Sequence, residues 1–484
     1  MKTGRAMQIR QASGPTLSLT HMIVPVVALV ALLFNTALPR LGYAQASATW
    51  TFVLAALAVI YLIATRPLFS VSMLYFMMIG MTAFVAGVGI EAGGLMIETG
   101  VRGEPNGAFS RLLLFYIVFV GCSLYGFNRS LNIRDPEVPV ALITADTRSV
   151  MLGFALSLTI IGAGVAAGLT QGFALLNGVN RYTLRNESTG TDSVLFNTFL
   201  NNQTFLALLL GALATSKNPL VKWSSIVLII VTTILYILHG EQFMSVLHFG
   251  LAVLAPVVAV LLMRGKPVLR YMAIGGGVAL IIGAASVFSA YQGQGLDVQN
   301  TITDRSLLQG QVWYVVDYDA HLFSAPPLGG SPAFWRFAES LLELNQPGFD
   351  DSIGFSGLRD VMVAYGEPHL ITTYIKDDVT FTMGQMAVPV FWFGFVGGAL
   401  FIAFTGVIYG ALCALQIVVA LRGGVVMLWL VVKVFSYASS GIQQGDYWSF
   451  FGVRTLFYVA LAFLWWVLVD SRAVSVKLKR LVAQ

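Results

Sequence analysis

Arg305, Gln309 and Trp313 recur at i, i+4 and i+8, so a helix through them lines up a guanidinium, an amide and an indole. That trio suits a ligand carrying both phosphate and sugar. Arg181 and Arg185, four apart in the segment 180–187, could share a helical face and grip an anion, or lie in a solvated loop. His239-Gly240-Glu241-Gln242 forms a tight turn that is either a hairpin cap or part of a site. His239, Glu241 and His248 do not have metal-ligand spacing, so no metal is expected. Lys433 sits near the middle of an apolar run that offers no carboxylate to pair with it. It contacts a lipid-linked phosphate, or it bonds to backbone carbonyls and snorkels. Arg454 has Asp446 as a structural partner. No phosphate loop, nucleophile elbow or paired-cysteine zinc pattern occurs, so the substrate should arrive already activated and no cofactor is expected.

The elements that position these groups are membrane helices. Hydrophobic residues make up 57% of the 484 positions and charged residues 11%, against roughly 25% charged in a soluble domain. Apolar runs occur at about 21–38, 47–65, 68–90, 110–128, 149–170, 193–215, 223–239, 242–263, 271–290, 386–420, 424–440 and 450–469. Most approach or exceed the roughly 20 residues that span a bilayer as a helix. Continuous runs exclude a barrel of alternating strands. The expected fold is an all-α polytopic membrane protein of about twelve spans. A membrane domain at 1–290 (TM1–TM9) precedes a large loop at 291–385, and residues 386–484 hold TM10–TM12 and a tail.

Charge sets the orientation. Placing both termini in the cytoplasm puts Arg66, Arg129, Lys217, Lys222, Arg264, Lys266 and Arg270 in cytoplasmic turns, as the positive-inside rule requires. Most acids then fall outside, so the net charge of +5 reflects anchoring and gives no argument for nucleic acid. Ala44-Gln45-Ala46 follows a basic start and an apolar run in the manner of a signal cleavage site, but the run is long for that role and the first helix is expected to stay. Cys122 and Cys413 lie in apolar runs as small hydrophobes.

The loop at 291–385 is too long for a linker and concentrates the candidate chemistry. One helix is predicted over 332–341, capped by Ser331 and stopped by Asn345-Gln346-Pro347-Gly348. Phe334, Phe337, Ala338 and Leu341 share a face that lies along the membrane or packs on the bundle. Another helix is predicted from Asp304, with Leu308, Val312, Val315 and Val316 in period.

This arrangement resembles the bacterial O-antigen polymerase family (Wzy-type) and, more distantly, the O-antigen ligases. The resemblance lies in the dozen helices, the small external loop bearing Arg181-Tyr182, the arginine-led helix Asp304-Arg305-Ser306-Leu307-Leu308-Gln309, and the glycine-rich segment Phe393-Gly394-Phe395-Val396-Gly397-Gly398. Related enzymes often carry a histidine shortly before that segment, whereas Thr380, Thr382 and Gln385 stand nearest here. The resemblance implies metal-independent transfer between undecaprenyl-pyrophosphate-linked oligosaccharides on the periplasmic face of the bacterial inner membrane. A flippase and a chain-length regulator would be partners. Arg181, Arg305 and Arg359 would neutralise the pyrophosphate leaving group. Arg185, Arg336 and Lys433 are further substrate-binding candidates. An acceptor hydroxyl needs a base, for which Glu241, Asp304, Asp360, Glu367 and His369 are candidates. Tyr182, Trp313 and Tyr365 could stack on sugars, with Gln309 beside them.

A flippase or transporter is the main alternative, although such folds are commonly duplicated and no convincing repeat is found here. A ligase-like transferase is a close variant. A polyprenyl-phosphate-sugar transferase with its acid in the first external loop is disfavoured, because that loop has none, but Glu91, Glu98 and Glu104 lie in the next one.

Overall fold

The computed structural model describes residues 44–132, 147–179, 184, 189–241, 243–293, 298–320, 326–327, 329–342, 357–376, 379–381, 383–422 and 424–470. The chain is a polytopic helical membrane protein. Among the described residues nine helices are long and apolar enough to cross a bilayer. Such helices satisfy their own backbone groups where lipid offers no partner.

In chain order the helices are α1 (Ala44–Thr65), α2 (Pro67–Glu91), α3 (Ala108–Asn132), α4 (Thr147–Gln171), α5 (Gly190–Leu200), α6 (Gln203–Ala214), α7 (Pro219–Leu238), α8 (Phe243–Met263) and α9 (Val268–Gly293). Four non-spanning helices follow: α10 (Val298–Asp319), α11 (Gly330–Leu342), α12 (Leu358–Tyr365) and α13 (Pro368–Lys376). The chain then returns through α14 (Ala387–Arg422), α15 (Val425–Gln444), the short α16 (Tyr447–Phe451) and α17 (Val453–Trp465). Starts are set locally. Pro67 and Pro219 occupy the first turns of α2 and α7, and the Asn218 side chain accepts from Leu220 N at 3.0 Å.

Two expectations change and one is not reached. The expected span at 21–38 lies outside the described residues. The run at 193–215 is broken into α5 and α6 at Asn201 and Asn202, whose amides compete with the helical ladder; Asn202 Nδ2 donates back to Thr198 O at 2.8 Å. The all-α expectation missed an antiparallel hairpin between α2 and α3, with β1 (Leu95–Met96) pairing β2 (Val101–Arg102). Gly100, at φ +67, supports its turn.

The bundle is centred on α3 and α14. A Cβ at Gly410 would fall 1.8 Å from Ser123 O, and one at Gly126 would fall 2.1 Å from Val407 O. Small residues thus let two backbones touch, the usual basis of helix association in lipid. α14 itself bends at Gly394 (φ 69, ψ −174), a conformation essentially closed to residues with a Cβ. α10 lies against α2 and α3, α11 against α14, and α12 bridges α10 and α14. Helices α10–α13 therefore cap the end of the bundle where α2 finishes and α14 begins.

Candidate functional site

The most unusual chemistry lies where α11, α12, α14 and α16 meet. Gly357 (φ +61) turns the chain into α12 and leaves Leu358, Asp360, Val361 and Met362 buried. Asp360 is 5% exposed. Its Oδ1 accepts from Arg336 Nη2 of α11 at 2.7 Å, while the arginine side chain remains 45% exposed. Oδ2 has no partner among the described residues. Burial pushes the Asp360 carboxyl up to about 7, against the smaller opposing pull of Arg336.

Backbones cross tightly beside it. A Cβ at Gly445 would lie 2.7 Å from the Gly384 carbonyl carbon, and one at Gly357 would lie 3.2 Å from Gly445 O. Gly384 N donates to Gln444 O at 3.2 Å, and Tyr447 Oη donates to Gln385 O at 2.8 Å. Met383 has φ +66, a rare conformation for a side-chain-bearing residue. Trp392 stacks on Phe337 at 4.8 Å and also meets Phe334 and Tyr447.

Around this crossing, polar atoms go unmatched. Gln385 is 2% exposed, Trp392 1% and Trp448 6%. Neither amide atom of Gln385, nor either indole N–H, has a hydrogen-bond partner among the described residues. Buried polar groups in folded proteins are nearly always matched, by water or ligand if not by protein. Two indole donors, an amide and a carboxyl able to titrate near neutrality suit a ligand rich in hydroxyls.

A second polar layer fixes the cap to the bundle. Glu98, buried in the α2–α3 connection, accepts from Gln311 Nε2 and, at 2.8 Å, from Tyr374 Oη of α13. Burial holds its carboxyl above the usual range. Glu98 O also accepts from Glu367 N at 2.9 Å. Arg111 grips Asp317 bidentately at 2.6 and 2.8 Å, and Tyr314 Oη meets Glu104 N at 2.7 Å. Glu91 is buried near this pair.

The candidates from the sequence distribute unevenly. Asp360 and Arg336 are brought together from α12 and α11, and Arg359 precedes Asp360 on α12. Glu367 and His369 stand 3.2 Å apart at the exposed turn into α13. Arg305 is exposed on α10, and Gln309, half-buried, donates to Arg305 O at 3.4 Å. α10 begins at Val298, six residues before the predicted start, and carries Asp304 inside it.

Trp313 is not the stacking platform expected. It is 3% exposed, packs against Phe115 and Phe395, and donates its indole N–H to Ala108 O at 2.8 Å. Ala108 and Phe115 of α3 and Phe395 of α14 cover that face of α10. The 332–341 helix packs on α14 through Phe334 and Phe337 and leaves Trp335 exposed.

Glu241 accepts from Ser245 Oγ at 2.6 Å at the start of α8. His239 is buried with its Nε2–H directed at Gly164 O at 2.9 Å. Lys433 donates to Asn201 O at 2.9 Å. Arg181, Tyr182 and Arg185 lie outside the described residues.

Sequence reasoning named Asp360 and Arg336 separately but missed Gln385, Trp392 and Trp448 as site groups. Of the three, Gln385 alone carried a signal, as one of the residues, with Thr380 and Thr382, nearest to where related enzymes often carry a histidine.

A family of unknown function (DUF6418) matches residues 351–459. That segment contains Gly357, Asp360, Gln385, Trp392, Tyr447 and Trp448. No curated protein and no solved structure matches the chain.

Proposed function

We propose that this protein is a membrane glycosyltransferase that lengthens a saccharide carried on a polyprenyl diphosphate, at the end of the bundle capped by α10–α13. The observation that carries the reading is Asp360: a buried carboxyl poised near neutral pH, with one oxygen on Arg336 and the other unmatched. A general base is most effective when its pKa lies near the working pH. Asp360 would take the proton of the acceptor hydroxyl as the new glycosidic bond forms. The bond to the diphosphate oxygen breaks, and the released diphosphate carries its charge toward Arg336 and Arg359. Gln385, Trp392 and Trp448 would donate to sugar oxygens. Arg305, Glu367 and His369 line the exposed cap and would meet the growing chain.

A transporter of lipid-linked saccharide is the second reading, and the α5–α6 break favours it, because discontinuous helices commonly form transport sites. Surface glycan length separates the two. In cells lacking the gene, wild type should restore a ladder of lengths and an equally abundant Asp360→Asn variant should leave single units. Lipid-linked units trapped on the cytoplasmic leaflet of the deletion strain would instead make the protein the transporter.

A further inference from the structure

A second polar feature lies away from the cap, on the side of the bundle. Lys433 is about 16 Å along α15 from Gln444, at 1.5 Å per residue, and so is deep in the bilayer zone. Its ammonium donates to Asn201 O in the α5–α6 break and lies 5.7 Å from the Trp429 ring. Trp429 Nε1 donates to Asn202 Oδ1 at 3.1 Å. Tyr458 of α17 contacts both Trp429 and Tyr437, each at 5.8 Å between ring centroids, which puts it level with Lys433. Arg454 is exposed on α17, one turn before Tyr458.

These residues make a groove between α15, α17 and the helix break, partly open on the bundle's lateral surface. Lys433 and Tyr437 are half-buried and Asn201 is exposed. A cation this deep is expensive unless it meets opposite charge. An ammonium has three donors, and one carbonyl uses only one of them. Two cations about one helical turn apart along the bundle, with the Tyr437 and Tyr458 rings between them, complement a lipid phosphate whose chain passes out between the helices into the bilayer.

We propose that this groove is a lateral binding site for the phosphate of a long-chain lipid, with Lys433 as the inner contact and Arg454 as the outer one. The identity of that lipid as a polyprenyl diphosphate rests on the transferase reading, in which it is the second of the two carriers and not the one whose diphosphate leaves toward Arg336 and Arg359; the phosphate contact does not rest on it.

The test uses the full chain in lipid nanodiscs and measures binding of radiolabelled polyprenyl diphosphate. Polyprenol, phosphatidylglycerol and inorganic pyrophosphate serve as competitors. Lys433→Gln keeps a donor for Asn201 and removes the charge, so the fold has its bond; it should weaken binding about tenfold. Lys433→Arg should stay within about threefold of wild type, and Lys266→Gln at the opposite end should change nothing. Unlabelled polyprenyl diphosphate should compete and polyprenol should not. Wild-type affinity in Lys433→Gln, or equal competition by polyprenol, would overturn the site. Competition by inorganic pyrophosphate as strong as by the lipid would overturn the lipid as occupant. Stronger competition by phosphatidylglycerol would replace the polyprenyl lipid with a bulk phospholipid. Asp360→Asn should bind normally without turnover. Lys433-dependent binding by a protein with no transferase activity would leave the groove standing and remove the transferase reading alone.

Discussion

Arg336 and Asp360, 24 positions apart on two short helices, meet at 2.7 Å with the carboxylate buried and the arginine side chain partly exposed. The asymmetry matters. The arginine favours the charged carboxylate, burial opposes it more strongly, and the balance leaves the group near 7.

Arg336 lowers the Asp360 pKa, so removing it moves the basic form to higher pH. The rate–pH profile of Arg336→Ala should shift upward relative to wild type, and Arg336→Lys should shift it less. An unmoved profile with a lower plateau would assign Arg336 to substrate alone.

The same carboxyl links stability to pH. Its folded pKa is raised above its unfolded value, so its stabilising contribution is complete below about 4 and is lost as pH rises through about 7. Asp360→Asn has no such charge. Thermal unfolding in detergent should show wild type losing stability over that window with a steeper slope than the variant, and Asp360→Asn at pH 8 at least as stable as wild type.

Close packing of α3 on α14 predicts a contrast between two helical glycines. Gly410→Leu drives a side chain into Ser123 O and should cost about 1–3 kcal/mol. A Cβ at Gly121 meets nothing within 4 Å, and Gly121→Leu should be neutral or stabilising. Unfolding midpoints of the two variants check this, and equal midpoints would mean the helices do not touch there.

Gly394 makes a separate demand. With φ 69 and ψ −174, a Cβ is strained, and Gly394→Ala should lose about 1–3 kcal/mol even without a clash. Unfolding of the purified variant measures it.

Glu98 ties α10 and α13 to the bundle through Gln311 and Tyr374. Glu98→Ala leaves both without their acceptor and should raise hydrogen exchange across α13, whereas Tyr374→Phe should do so less. Unchanged exchange in both would show that apolar packing alone holds the cap.

Much of the membrane fold is legible in the sequence, because lipid demands roughly 20 apolar residues per helix and Pro67 or Pro219 can mark a start. The α5–α6 break is not, since Asn201, Asn202 and Gln203 are flanked by Phe199, Leu200, Phe205 and Leu206, and an averaged hydropathy reads through them. Helical period found α10 and its apolar face, but not that α2, α3 and α14 would bury every residue from Gly310 to Val316, Trp313 included. Asp360 and Arg336 are visible singly as polar residues in a long loop. Their pairing is a product of tertiary packing. The unmatched N–H groups of Trp392 and Trp448 are invisible because a tryptophan in an apolar run reads as core or as an interfacial anchor.

The central claim is that Asp360 is the base of a transfer between lipid-linked saccharides. Its most direct test is transfer by the purified full chain in liposomes, supplied with one defined polyprenyl-diphosphate oligosaccharide, at pH 6 to 9, for wild type, Asp360→Asn and Asp360→Glu. Wild type should form dimers and longer products with a rate that rises through about pH 7, Asp360→Glu should retain part of that rate, and Asp360→Asn should fall by a factor of about 100 or more. Full activity in Asp360→Asn, or no elongation by wild type at any pH, would contradict the account.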